Sequence, residues 1–416
     1  MSAVTSKQPV ETAGPPSVFK SVVGGYFDRI RGGDTGALPA LLALTVLVIA
    51  FSIMRPVFFS YGNFANLLTQ GAAVAVIAMG LIFVLLLGEI DLSAGYTSGV
   101  CAAVMAILLT NHGWPWYASI GIALLCGAGI GSIIGSIVVK IGVPSFVVTL
   151  AAFLAFQGIA LKLLNNGTNV SIRDDAVLAI ENKNLSPALG WIMLAVVVVL
   201  YAVVQFTQAR HRAARGLTGA GLQVVAVRVI GVAILAGFAV FALNQERSKN
   251  AVFVSLKGVP IIVPIIVVLL IGWTFVLHRT KFGRHIYAVG GSQEAARRAG
   301  IKVDKIRISA FVICSAMAAV GGIVAASRGN SVDPNTGGSD VLLKAVGAAV
   351  IGGTSLFGGR GRILDAILGG AVIAVIDNGM GLMGYSAGVK LIVTGSVLLL
   401  AAGVDAVSRK RTAASR

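Results

Sequence analysis

Charge is what this sequence has least of. Lys, Arg, Asp and Glu make up 12% of its 416 residues, and 56% are hydrophobic, whereas soluble domains carry about 25% charged residues. Acids are scarcer still, with 16 Asp and Glu against 33 Lys and Arg. That balance, with repeated long uncharged runs, excludes a soluble fold and makes the chain an integral membrane protein, because a spanning helix needs about 20 predominantly apolar residues. Cysteine is nearly absent. Cys101, Cys126 and Cys314 each stand inside an apolar run with no CxxC pair, so they read as small buried hydrophobes. His112, His211, His278 and His285 do not pair with one another or with acids at ligand spacing, which leaves no metal site. There is no GxxxxGK(S/T) loop, so the chain is not expected to hydrolyse nucleotides itself. Nor does a Ser–His–Asp grouping or a charged relay within the apolar runs suggest catalysis or proton coupling. A transporter without internal ion-coupling acids needs its energy delivered from outside.

What is abundant is apolar sequence and glycine. Runs at 37–54, 65–88, 94–110, 115–139, 145–164, 188–207, 224–243, 259–277, 308–327, 341–357, 363–383 and 387–406 predict an all-α polytopic protein of about twelve transmembrane helices, some of them broken at glycines. The 52 glycines suit close helix packing in lipid. Gly127, Gly131 and Gly135 recur every four residues and form a small-residue stripe on one helix face. An even span count puts both termini on one side. The cations choose the side: Lys140, Arg210, Arg212, Arg215, Arg360, Arg362 and the basic ends fall on the same predicted face, which the positive-inside rule makes cytoplasmic. The net charge of +17 is therefore an orientation signal and does not call for nucleic acid as a partner. Residues 1–36 read as a cytoplasmic N-terminal tail, 37–407 as a single transmembrane domain with a two-span segment inside 188–256, and 408–416 as a basic C-terminal tail. The 244–258 connection fits worst, since Arg247, Lys249 and Lys257 fall on the predicted outside.

The most developed polar feature is the island from His278 to Arg307, with eight Lys or Arg residues and only Glu294 and Asp304 as acids. Ser292 is placed to N-cap a short helix carrying Glu294 in its first turn, and Gly300 to stop it, with Arg297 and Arg298 at its C-terminal end. A compact capped helix on a basic membrane-surface loop is a docking point for a partner; an orientation-setting loop is the plainer alternative. Two glycine-bearing breaks look alike, LLLGEIDLSAG at 85–95 and VIGGTSLFGG at 350–359, and paired breaks of this kind mark translocation paths. Glu89 and Asp91 in the first are the only acids between Asp34 and Asp174. Two readings stay open for them: groups at the mouth of the pathway, or a capped helix start, with Asp91 or Ser93 as the cap and Glu89 in interfacial water. Asp377, Asn378 and Gly379 form a DNG turn signal; the turn reading ends a helix near the outer surface, and the functional one makes these residues a polar lining for a hydroxyl-rich solute.

GGSQEAARRAGI at 290–301 resembles the EAA–Gly loop of ABC importer permeases. GEIDLSAG at 88–95, IGGTSLFGGRGRI at 351–363 and DNGMGLMG at 377–384 are similar to segments of the ribose, arabinose and xylose branch of those permeases, and the extra segment at 188–256 resembles the D-xylose type. The resemblance covers the chain from Ala37 onward, with the motifs in order; Tyr96, after the DLS, is bulkier than the pattern. It implies a permease of the bacterial inner membrane that carries a monosaccharide and works as a homodimer. Its partners would be a cytoplasmic ABC ATPase, which would bind ATP and Mg, and a periplasmic sugar-binding protein. Gly291, Glu294, Ala295, Ala296, Arg297 and Gly300 would belong to the coupling loop, and Glu89, Asp91, Ser93, Asp377 and Asn378 stand as candidate pathway or gate residues. The alternative is an ion-coupled secondary sugar transporter.

Overall fold

The computed structural model describes residues 36, 38–165, 167–216, 222–248 and 255–414, with side chains to 403 and at 406. The predicted N-terminal tail lies outside the described residues apart from Gly36, and of the C-terminal tail only backbone to 414 is described.

Each predicted apolar run becomes a helix. Among the described residues these are α1 (Leu38–Met54), α2 (Tyr61–Leu86), α3 (Ala94–Asn111), α4 (Trp116–Ile141), α5 (Ser145–Leu163), α7 (Pro187–Ala214), α8 (Leu222–Leu243), α9 (Ile262–Arg279), α12 (Val303–Gly329), α13 (Ser339–Gly352), α14 (Ile363–Leu382) and α15 (Ala387–Ala414). Three polar helices lie between them: α6 (Asp175–Asn182), α10 (Lys281–Gly291) and α11 (Gln293–Arg298). Nine of the described helices are long and apolar enough to cross a membrane. The apolar stretches of α1 (Leu38–Met54) and of α15 (Ala387–Gly403) are shorter, and α13 with 14 residues rises only about 21 Å, less than a hydrocarbon core of about 30 Å.

The core is built on α2 and α12, with α3, α4, α13 and α14 around them. In lipid the apolar effect does not press helices together, so close backbone approach has to do it. The α4 stripe shows how. A Cβ at Gly127, Gly131 or Gly135 would lie 2.7 Å from Ser315 O, 2.4 Å from Phe311 O and 3.0 Å from Ile308 Cα, all on α12. By contrast α7 and α8 form a peripheral hairpin, whose buried end packs on Phe64, Ala65 and Leu68 of α2.

One helix start lies deep inside, and the turn before another packs on it. The chain leaves α2 at Gly88 (φ +74), turns back through buried residues, and begins α3 with Ala94 fully buried. After α12, a two-residue ladder joins Val170–Ser171 to Ser331–Val332, and the chain then re-enters the bundle. There a Cβ at Gly337 would lie 2.3 Å from Ser98 Oγ of α3. Thus α3 starts within the bundle, and the buried turn at Gly337 and Gly338 that leads into α13 packs against it, while Ser339 and Asp340 are exposed. Tyr96 at this junction is accommodated edge-to-face against Phe153 of α5, with ring centroids 4.7 Å apart.

The 244–258 connection accounts for its own misplaced cations. Arg247 donates to Leu243 O at 2.7 Å and to Gly258 O at 3.0 Å, tying off the end of α8. Glu246 accepts from the backbone N–H groups of Arg247, Ser248 and Leu256. Those hydrogen bonds hold its carboxyl down at about 2. These charges fold a loop. Lys249 lies outside the described residues.

Candidate functional site: a polar end of the bundle

The charged island is more structured than a loop. Thr280 caps α10, its hydroxyl accepting from Gly283 N–H at 3.2 Å, and Ile286 and Val289 turn into the core. Ser292 caps α11 as the sequence predicts, accepting from Ala295 N–H at 3.2 Å. Gly300 ends it at φ +81, with Gly300 N–H donating to Arg297 O and Ile301 N–H to Ala296 O, both at 3.0 Å. These are the paired bonds of a Schellman stop. Of the predicted coupling residues, Ala296 alone is buried; Gly291, Glu294, Ala295, Arg297 and Gly300 are exposed. Glu294 pairs with Arg298, and Arg297 with Asp304 at 3.6 Å. Such exposed pairs hold the shape of the helix rather than add much stability.

Directly behind this helix the two glycine-bearing breaks meet. Gly359 N–H donates to Leu86 O at 2.8 Å, joining the end of α2 to the connection between α13 and α14. Gly290 closes the third side. A Cβ there would lie 1.9 Å from Leu86 O and 3.0 Å from Gly359 N, so no other residue fits without displacing backbone. Tyr287 of α10 donates to Gly361 O at 2.7 Å. Burial pushes its hydroxyl up to about 12, with the Asp365 carboxylate adding to the shift, which keeps the donor protonated.

The acids of the first break part company. Glu89 is buried and pairs with Arg307, the last residue of the island, now in the first turns of α12. It does not sit in interfacial water. With both partners largely desolvated, removing either would strand a charge. Asp91, fully buried, takes the capping role. It accepts from Ser93 N–H at 2.9 Å and from Ser93 Oγ, just before α3 begins. Ser93 itself makes no side-chain cap bond. The break is held to α5 by Thr149 Oγ1, which donates to Ile90 O at 3.2 Å.

The DNG turn expectation is corrected. Asp377, Asn378 and Gly379 lie within α14, which continues to Leu382. Gly379 serves packing rather than turning, since a Cβ there would lie 2.5 Å from the Phe51 ring of α1. Asp377 is half-buried and pairs with Lys344, and Asn378 is buried and donates to Gln70, neither partner belonging to α11, so the predicted site residues fall into two groups. Arg307, Tyr287 and Gly290 were inside the predicted island, but nothing in their spacing reveals their partners, which are 218 and 74 residues away for the first two.

The profile of a family described as branched-chain amino acid transport system / permease component matches residues 63–235 and 192–402. The chain is 35% identical over 400 residues to the xylose transport system permease protein XylH of Escherichia coli (strain K12), covering 95% of this chain and 99% of that protein. It is 33% identical over 372 residues to XylH of Haemophilus influenzae, covering 89% and 96%. It is 30% identical over 370 residues to the ribose import permease protein RbsC of Escherichia coli (strain K12), covering 88% and 92%. No solved structure matches.

Proposed function

The chain belongs to the branched-chain amino acid transport system / permease component family, and from that footing we propose that it is the membrane-spanning permease of an ATP-driven importer for a pentose. The relatives matched along nearly its whole length carry xylose or ribose in their names, and these, rather than the family's description, set the substrate class. It is a multi-pass protein of the bacterial inner membrane. Nucleotide hydrolysis belongs to a partner subunit, which binds ATP and Mg. A periplasmic binding protein delivers the sugar, and a second copy of the chain completes the pathway. The α11 end of the bundle faces the cytoplasm, with both termini on that side.

The mechanism follows from the polar end. The partner ATPase grips the exposed face of α11 formed by Glu294, Ala295 and Arg297. Because α11 is short, capped at both ends and pinned by Ala296, it moves as a rigid piece. Its motion passes through Gly290 to the ends of α2 and α13, and through Arg307–Glu89 to the buried start of α3. The helices then exchange outward-open for inward-open packing, a two-state element biased by the motor. A neutral pentose needs hydroxyl partners along the way and no counter-charge.

The single observation that carries this reading is the junction of Gly290, Leu86 and Gly359, where the docking segment rests on both glycine breaks at once. Its test is Glu294→Lys in the reconstituted complex. We expect sugar-stimulated ATP hydrolysis to fall at least about tenfold, since a reversed charge at a docked interface costs more than about 1.4 kcal/mol. Unchanged stimulation would remove α11 from the coupling path.

A further inference from the structure

Away from the docking end, the bundle joins the candidate residues Asp377 and Asn378 to three polar partners that the sequence does not single out, Lys344, Asp340 and Gln70. Lys344 of α13 reaches Asp377 of α14 at 2.7 Å and Asp340 of its own helix at 2.8 Å. Next to Asp377, Asn378 donates through Nδ2 to Gln70 Oε1 of α2 at 3.2 Å. Gln70 is nine residues into the 26-residue α2, about 14 Å from its outer end, while Asp377 lies five residues before the end of α14 and Asp340 in the first turn of α13, so the group reaches from the helix ends into the span.

Two features make this more than a structural pairing. Charges at such depth are costly and are kept where they face a bundle interior or a water-filled cavity. The Lys344 and Asp377 side chains are 18% and 16% exposed. They are thus partly buried and paired, a state that fits charges facing a cavity in the bundle. Secondly, Asn378 is only 6% exposed, yet its Oδ1 has no hydrogen-bond partner among the described residues. A buried amide oxygen left open is expensive and is ready for a hydroxyl donor.

We propose that Gln70, Asn378, Asp377 and Lys344 form a transit site for a monosaccharide between α2, α13 and α14, with Asp340 holding Lys344 in place. The donors and acceptors fit a polyol: an amide oxygen and a carboxylate accept from sugar hydroxyls, and the ammonium and the Gln70 amide donate to them. The charges are already paired with each other, so a neutral ligand can exchange hydrogen bonds with them without bringing a counter-ion. The site rests on the reading of the chain as a pentose permease.

The test uses proteoliposomes holding the permease with its ATPase and binding protein, and compares ATP-driven uptake of D-xylose with that of a monodeoxy analogue. In Asn378→Leu, which removes the open acceptor, the preference for the full sugar falls about fivefold, the worth of one hydrogen bond. Equal loss for both sugars overturns the site and leaves the cluster a structural latch. Should Asn378→Leu fail to assemble, Gln70→Cys decides. A small hydrophilic thiol reagent modifies it, above the background of the three native cysteines, and saturating xylose slows that reaction severalfold. No modification, or no protection, overturns the site. No uptake of either sugar by the unaltered complex overturns the pentose reading, and the site with it.

Discussion

Glu181 is the acid most at odds with its surroundings outside the spans. It sits on α6, which is held against the end of α12 where Ser327 Oγ accepts from Glu181 N–H at 3.1 Å and Ser327 O accepts from Asn182 Nδ2 at 2.8 Å. Neither carboxyl oxygen has a hydrogen-bond partner among the described residues. Burial pushes the group from an ordinary 4.5 up to about 8, with the charge of Arg328 pulling the other way. Because the folded state holds the proton more tightly than the unfolded one, stability is full below about pH 4.5 and falls as pH rises, levelling off above about 8. Thermal unfolding of the purified permease between pH 5 and 8 should show that decline, and Glu181→Gln should flatten it and raise the midpoint at pH 8. A slope unaltered by the substitution would mean that the carboxyl is not desolvated. Nothing in the sequence marks this residue, since a mixed-charge stretch at 165–187 reads as an ordinary polar connection and its burial depends on a helix end 146 residues away.

At the scale of elements, small side chains set what can touch what. The α4 stripe was legible because its partner surface needs no naming: a repeat of four on an apolar helix already says that a backbone will come close. The cap and stop of α11 were legible for the same reason, being local to a dozen residues. The junction behind it was not. Gly290 is one glycine among 52, and only the meeting of the two breaks shows why it must lack a side chain. Gly290→Ala would place a methyl 1.9 Å from Leu86 O, a contact that backbone has to relieve. We expect ATP-driven uptake to fall at least about tenfold, while the protein still folds at a cost of about 1–3 kcal/mol, as for other overpacked sites. Uptake retained at the wild-type level would separate the docking segment from the breaks. The DNG motif shows the opposite failure. Local turn chemistry was strong there, but the packing of Gly379 on Phe51 and the pairing of Asp377 with Lys344 keep the helix going.

For the whole molecule, apolar periodicity marked out the helices, because apolar length is a property that lipid reads directly. It could not say that α3 begins inside the bundle, since a fully buried start such as Ala94 has the same composition as a full span. The central claim is that this chain is a conduit whose work is done by a separate motor acting at α11. The most direct measurement is accumulation of labelled D-xylose in proteoliposomes prepared with the permease alone, with the permease and binding protein, and with both plus the ATPase. The account predicts uphill accumulation only in the last, dependent on ATP and indifferent to a proton or sodium ionophore. Accumulation by the permease alone, abolished by the ionophore, would contradict it.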